Sequence, residues 1–206
     1  LQETDSRRRE SQFIHGPVFA NIVLADEINR APPKTQAAML EAMQEQRVTV
    51  LGKSFELESP FMVLATQNPV EQEGTYPLPE AQLDRFMSLI ELDYPNEEEE
   101  IQIARTTTGD DMITLTALMT AEQIIDHQRL VRRVPVPDHI YTYAARLVRR
   151  TRPTGTTSPA WLKPLVAWGG GPRAVQNLIL GAKARAAIYG SYMVRLEDVK
   201  AVAPAV

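Results

Sequence analysis

The chain has no cysteine in its 206 residues, so disulfide bonds and thiolate metal sites are excluded. It also has no apolar run that approaches the roughly 20 residues needed by a membrane-spanning helix. Residues 1–9 are mostly polar and charged, and they lack the apolar stretch of a signal sequence. These absences predict a protein without a membrane segment and with a cytoplasmic location.

An excess of positive charge is missing as well. The formal net charge is −4, which provides no overall attraction to nucleic acid or to an anionic membrane. Residues 129–152 are locally basic, but no aromatic stacking pattern accompanies their arginines. We therefore interpret them as a solvated surface or a subunit contact, and we expect no nucleic acid partner. The three histidines lack the spacing of metal ligands, so no zinc site is predicted.

The chain does contain a change of pattern near residue 94. Ahead of it, apolar runs predict strands at 20–25, 61–66 and 89–92. Helices are predicted at 34–46 and 79–87, and a hairpin at 47–57 with its turn around Gly52. After it only helical patterns occur, and they predict helices at 97–106, 120–131, 138–150, 158–167, 172–189 and 196–203.

These patterns divide the chain into an α/β part, residues 1–94, and an all-α part, residues 95–206. Three strands and a hairpin are too few for a well-covered parallel sheet, so the first part is expected to be a portion of a larger domain. In the second part, Trp161 and Trp168 are seven residues apart, which places them on one helix face and predicts that they lie in the core.

Two adjacent acids, Asp26 and Glu27, directly follow the apolar run at 20–25. In open α/β sheets ligands bind at the carboxyl ends of the strands, and a carboxylate buried there without a partner is costly. The pair therefore predicts that Asp26 binds Mg²⁺ and that Glu27 orients or deprotonates an attacking water. A helix cap or a solvated strand end is the commoner alternative for two adjacent acids.

Three further residues have side chains suited to phosphate. Asn68 follows the strand predicted at 61–66, where its amide could hold a water or a phosphate oxygen; otherwise it is a turn former. Arg85 lies near the end of a predicted helix, and its guanidinium suits phosphate or an ordinary salt bridge. Arg173 lies at the start of a predicted helix that follows a glycine run. A cation is mildly disfavoured at a helix N-terminus unless an anion is near.

In this order and spacing the residues resemble the MoxR family of AAA+ ATPases, in the helix-2-insert clade. Residues 16–30 resemble the Walker B segment, and residues 34–43 resemble the helix that follows it. Residues 65–69 resemble sensor 1, residues 83–86 the arginine-finger region and residues 171–174 sensor 2. The resemblance implies that residues 1–94 are the C-terminal part of an AAA+ P-loop core. In that part, 1–17 end the helix-2 insert and 47–58 form the pre-sensor-1 hairpin. Residues 95–206 correspond to the helical lid.

The resemblance also implies a function with ATP and Mg²⁺ as ligands. Asp26 would bind the metal, Glu27 would activate water and Asn68 would sense the γ-phosphate. Arg85, serving a neighbouring subunit, and Arg173 would stabilise phosphate charge. The implied partners are further copies of the chain in a ring, a hexamer, and a protein with a von Willebrand factor A domain whose remodelling is driven by ATP hydrolysis.

The chain departs from the family pattern at two points. Gly171 stands where the sensor-2 motif usually has serine. More importantly, the phosphate-binding Walker A pattern is missing, because it needs a glycine five residues ahead of its Gly-Lys pair. Gly52-Lys53-Ser54 has Arg47 at that position and lies in a predicted hairpin. We expect Walker A to precede residue 1, and the 206-residue chain alone to be close to inactive.

Two other functions remain open at this point. A magnesium-chelatase motor subunit or a DNA helicase of the same clade would share these motifs. DNA-translocating relatives expose basic residues on the hairpin, whereas this chain offers only Lys53 near the tip. A non-catalytic scaffold that uses the helical part for oligomer contacts is the alternative from a different class.

Overall fold

The computed structural model describes residues 2–3, 11–68, 74–109 and 114–206. Contacts divide the chain into two units, Leu1–Leu83 and Asp84–Val206. This division lies ahead of the boundary predicted near residue 94, and the assignment of 1–94 to the core and 95–206 to the lid stays a prediction.

The described residues of the first unit form three strand pairs. Two are antiparallel: β1 (Gln2–Glu3) with β2 (Ser11–Gln12), and β4 (Arg47–Val50) with β5 (Lys53–Glu56). The third is parallel and joins β3 (Ile22–Ala25) to β6 (Met62–Ala65), with Ala25 opposite Ala65 at its end. Because parallel strands point the same way, the residues that follow β3 and β6 emerge at one edge of the sheet.

The hairpin prediction is confirmed. Its turn consists of two residues, Leu51 and Gly52, with φ of +51° and +77°. Two-residue hairpin turns with both residues at positive φ match the right-handed twist of the strands. Lys53 therefore begins β5, and Gly52-Lys53-Ser54 belongs to a hairpin instead of a phosphate-binding loop.

Two helices complete the description of the first unit. Helix α1 covers Pro33–Glu45 and begins with proline, as expected for a residue whose missing N–H costs nothing in a first turn. It buries Leu40 and Ala42. Helix α2 covers Glu80–Leu83 only. The helix predicted at 79–87 is therefore too long, because the chain leaves helical geometry at Asp84.

The parallel strands are covered on one face. Val23 is 8% exposed, whereas Ile22 and Leu24 are 57% and 64% exposed, and their partners Met62 and Leu64 are about half exposed. The strand predicted at 20–25 is therefore buried on one side only, since the described elements of the first unit cover only the Val23 side.

The second unit is helical. Its helices are α3 (Glu97–Thr107), α4 (Ala121–Arg133), α5 (Asp138–Arg150), α6 (Pro172–Ile188) and α7 (Leu196–Val202). Asn96 and Thr120 precede α3 and α4 and cap them with reciprocal capping boxes. The core lies between α5, α6 and α7 and consists of Ile140, Ala144, Val148, Leu178, Ile179, Ala182, Ala186, Val194 and Val199.

Two predicted elements are absent from this unit. Residues 89–92 form no strand: the N–H of Leu89 donates to the carbonyl of Ala205, 2.8 Å away, instead of to a neighbouring strand. Residues 158–167 form turns, because Pro164 lies in the interior of the predicted helix and cannot donate a backbone hydrogen bond there. Trp161 and Trp168 are consequently 67% and 75% exposed, and their assignment to the core is wrong.

Among the described residues, no helix combines the length and the apolar character needed to traverse a bilayer.

Candidate active site

The hydroxyl group of Thr66, the first residue after β6, joins the two acids that follow β3. It donates a hydrogen bond to Oδ1 of Asp26 at 2.5 Å and accepts one from the backbone N–H of Glu27 at 2.8 Å. The backbone continues the connection, since the N–H of Ile28 donates to the carbonyl of Thr66 at 3.0 Å. Thr66 therefore fixes both the carboxylate of Asp26 and the backbone at Glu27.

Glu27 has an uncommon backbone conformation. Its φ and ψ are +48° and +51°, in the left-handed region that few non-glycine residues adopt. The residue precedes a 3-10 turn at Ile28–Arg30, and its Oε2 lies 3.2 Å from Nε of Arg30. The sharp change of direction presents the carboxylates of Asp26 and Glu27 beside the strand ends, and Arg30 orients the second of them.

A buried glutamine, Gln36, connects the segment that follows Glu27 with the segment at Tyr76. Nε2 of Gln36, a residue only 2% exposed, donates to the carbonyls of Ile28 and Tyr76 at 3.1 and 2.8 Å. The amide of Asn29 donates to the carbonyl of Asn68 at 3.2 Å, and the carbonyl of Asn29 accepts from the N–H of Tyr76 at 2.6 Å. Asn68 is thus held through its backbone beside the acidic pair.

The oxygen atoms at the strand ends are of the kind that Mg²⁺ prefers as ligands. Mg²⁺ in phosphate-transfer sites takes one or two carboxylates and completes its octahedral shell with waters and phosphate oxygens. The carboxylate of Asp26 is exposed, and Thr66 holds one of its oxygens in place. Asp26 is the residue that would hold the metal directly or through water.

Arg85 and Arg173 both lie in the second unit. Arg173 is at the start of α6, and its Nη1 is 3.4 Å from Oδ2 of Asp84. A Cβ added at Gly171 would lie 3.4 Å from Oδ1 of Asp84, which is ordinary contact. The residue that departs from the family pattern therefore leaves room for a side chain, and it faces the same aspartate as Arg173.

The structure brings Asp26, Glu27 and Asn68 together in the first unit and places Arg85 and Arg173 in the second. Their functional roles stay predictions. Sequence reasoning missed Thr66, Gln36 and Asp84. Thr66 could have been found from the strand alignment, because it occupies on β6 the place that Asp26 occupies on β3. Gln36 and Asp84 have no comparable signal in the sequence.

Comparison with known proteins agrees with this architecture. Residues 2–88 match the family model of the ATPase family associated with various cellular activities (AAA), and residues 160–206 match the AAA lid domain. A crystal structure of a proposed ATPase from Cytophaga hutchinsonii has a TM-score of 0.82 and 40% identity, over 93% of this chain and 58% of its own.

Curated relatives are similar over nearly the whole chain. The uncharacterized protein YeaC of Bacillus subtilis (strain 168) is 42% identical over 97% of this chain and 60% of its own length. Chaperone MoxR1 of Mycobacterium tuberculosis is 41% identical over 96% of this chain and 52% of its own. The chain therefore spans between half and two thirds of the length of these relatives.

The two family models define an AAA+ protein with an α/β core portion and a helical lid region, and the parallel strand pair and the helical second unit agree with them. Within that class, the relatives named MoxR indicate the particular family. The chain belongs to the MoxR family of AAA+ ATPases.

Proposed function

We propose that the protein hydrolyses ATP and uses the energy to remodel a protein partner. The observation that supports this best is the Thr66 hydroxyl, which holds the carboxylate of Asp26 and the backbone of Glu27 at one sheet edge. A structural pair of acids has no need for such a link, whereas a hydrolytic site needs both groups in fixed positions.

Each residue then has a distinct role. Asp26 holds Mg²⁺, which neutralises phosphate charge when bound. The Glu27 carboxylate accepts a proton from the water that attacks the γ-phosphate, and Arg30 keeps that carboxylate oriented. The Asn68 amide holds the water or a γ-phosphate oxygen. Arg85, acting on a neighbouring subunit, and Arg173 stabilise the negative charge of the transferred phosphoryl group.

The proposal extends to assembly and partner. An arginine that serves a neighbour requires further copies of the chain, and we propose a ring, a hexamer, with a von Willebrand factor A domain protein as the remodelled partner. The relative named Chaperone MoxR1 supports a chaperone-like role.

The substitution Glu27→Gln tests the proposed chemistry in the full gene product, including any residues encoded beyond this chain. Removing the base should lower phosphate release by about 10²- to 10⁴-fold and leave ATP binding nearly unchanged. Glu56→Gln, an exposed glutamate on β5, is the matched control and should retain full activity. Normal turnover by Glu27→Gln would refute the role of Glu27, and a wild-type protein that neither binds nor hydrolyses ATP would refute the function itself.

We also propose that residues 1–206 alone bind nucleotide poorly. The Walker A loop, which supplies the backbone amides and the lysine that hold phosphates, is not encoded in this segment. Titration with a fluorescent ATP analogue should show weak binding. Tight binding that depends on Mg²⁺ would contradict this proposal.

A further inference from the structure

Residues 84–89, which include Arg85, are attached to the lid helices at three points. Nη1 of Arg173 lies 3.4 Å from Oδ2 of Asp84, and Nδ2 of Asn177 donates to the carbonyl of Phe86 at 3.4 Å. The N–H of Leu89 donates to the carbonyl of Ala205 at 2.8 Å. We call residues 84–89 the arginine segment.

The spacing of the first two attachments determines where Arg85 lies. Arg173 and Asn177 are four residues apart on α6, so their side chains lie on the same face, one turn from each other. They contact Asp84 and Phe86, the two neighbours of Arg85 in the sequence. Arg85 is therefore held between two attachment points on the helix that bears Arg173.

The Asp84–Arg173 ion pair is weak enough to be exchanged. Its side chains are 41% and 45% exposed, and an exposed pair of this kind changes an equilibrium constant by at most about fivefold. A phosphate group offers a larger negative charge and several acceptor oxygens, and guanidinium binds such a group with two parallel hydrogen bonds. A phosphate group is therefore a stronger partner for Arg173 than the carboxylate of Asp84.

We propose that Asp84 is a positioning residue that acts as an exchangeable counter-ion of Arg173. Without nucleotide, Asp84 pairs with Arg173 and holds the arginine segment on α6. When the γ-phosphate of ATP takes the guanidinium, Asp84 is released and the arginine segment loses one of its attachments. The proposal rests on the ATPase function proposed above, and it links Arg173 to Arg85, the group assigned to the neighbouring subunit's site.

The substitution Asp84→Asn tests the exchange in the full gene product. With the competing carboxylate removed, the Kd for ATP should fall about three- to fivefold, and the Kd for ADP, which lacks the γ-phosphate, should be unchanged. In an Arg173→Gln background, Asp84→Asn should have no effect on the Kd for ATP. Asp84→Glu retains the charge and should behave as wild type. Glu91→Gln removes the same charge from an exposed residue outside the arginine segment and should leave both constants unchanged.

A second measurement reports on the arginine segment itself. Hydrogen exchange at the Leu89 amide should become faster on addition of ATP to the wild type, and should already be fast in Asp84→Asn without nucleotide. Three results would overturn the proposal: an unchanged Kd for ATP in Asp84→Asn, weaker binding like that expected of Arg173→Gln, or a Leu89 amide that does not respond to ATP. A wild-type protein that does not bind ATP would instead refute the proposed function, and the proposal with it.

Discussion

At the scale of single residues, the Thr66 hydroxyl decides how the acidic pair is presented. One oxygen atom serves as donor to Asp26 and as acceptor for Glu27, so both acids depend on the same side chain. Hydrogen bonds to charged groups contribute about 1.5–3 kcal/mol each. This is large enough to affect the geometry of the pair and small enough for the fold to survive its loss.

Substitution of Thr66 by valine, which has nearly the same shape, removes both hydrogen bonds. We expect ATP hydrolysis by the full gene product to fall about 10- to 100-fold, as follows from the loss of about 1.5–3 kcal/mol at the site. The concentration of Mg²⁺ needed for half-maximal rate should rise, because Asp26 is no longer fixed. Steady-state rates measured across a magnesium titration would show both effects.

Thr66→Ser is the matched control, since it retains the hydroxyl group and should retain most of the activity. If serine and valine were equally damaging, the methyl group and not the hydroxyl would be the important part of Thr66.

A second residue-scale prediction concerns Asp198 of α7, which is 3% exposed. Its Oδ1 lies 2.8 Å from Nη1 of Arg185, and its Oδ2 accepts from the N–H of Arg195 at 2.9 Å. Asp198→Ala should lower the free energy of unfolding by about 2–3 kcal/mol, because Arg185 keeps a charge that is only partly solvated. Urea unfolding followed by circular dichroism measures this change.

The neighbouring Glu197 provides the comparison. It pairs with Arg195 at 3.3 Å with about two thirds of its side chain exposed, and exposed pairs contribute about 0–1 kcal/mol. Glu197→Ala should therefore have a small effect. Equal losses for the two alanine variants would show that burial of Asp198 is not what makes its ion pair important.

The residues of the candidate site differ in how far sequence could predict them. Asp26, Glu27 and Asn68 follow apolar runs, and strand ends are visible as a change from apolar to polar residues. Thr66 lies in the quoted sensor-1 segment, but its contact with Asp26 depends on the alignment of β3 with β6. Asp84 depends on a contact with Arg173, 89 residues away in the chain, and no local pattern encodes such a distance.

At the scale of secondary-structure elements, the residues at helix starts follow local rules for beginning a helix. Asn96 and Thr120 cap α3 and α4, and Pro33 and Pro172 stand at the first positions of α1 and α6. These signals act within one turn of helix, so a single sequence contains them completely.

Elements that depend on distant partners were predicted less well. The apolar run at 89–92 has the composition of a strand, but a strand requires a neighbour, and Leu89 bonds to Ala205 instead. The helix predicted at 158–167 would have Pro164 in its interior, where the missing N–H removes a backbone hydrogen bond. In both cases the apolar pattern predicts an element that the hydrogen bonds available to the backbone do not support.

For two glycines of the lid, substitution by alanine is predicted to change stability in opposite directions. In α6, a Cβ at Gly181 would meet Val202 at 3.5 Å, which is ordinary contact. Gly181→Ala should therefore stabilise the chain by about 0.5–1 kcal/mol through helix propensity. At Gly169, a Cβ would lie 2.4 Å from Cα of Arg152. Gly169→Ala forces the backbone apart and should destabilise the chain by about 1–3 kcal/mol.

Thermal unfolding of the two alanine variants would test this pair of predictions, with wild type as the reference. A lower melting temperature for Gly181→Ala would mean that the space beside Val202 is not available, and an unchanged one for Gly169→Ala would mean that the turn before α6 adjusts freely.

At the scale of the whole molecule, the described residues of the two units differ in how their buried apolar side chains are grouped. The second unit has a continuous core in which Ala144, Ala182 and Val199 have no exposed surface. In the first unit, Ile22 and Leu24 of β3 remain more than half exposed. The second unit also leaves apolar side chains in water, Trp161 and Trp168 among them, so the expectation that it is the more stable unit rests on its continuous core.

This difference predicts that Asp84–Val206, produced as a separate chain, folds on its own. Its far-ultraviolet circular dichroism should be helical, and urea should unfold it in one cooperative transition that Asp198→Ala shifts to lower concentration. The matched chain Leu1–Leu83, which bears the half-exposed strands, should bind a hydrophobic dye and unfold without a sharp transition. Loss of cooperative unfolding in the separate Asp84–Val206 chain would show that its core, although buried, depends on the first unit for stability.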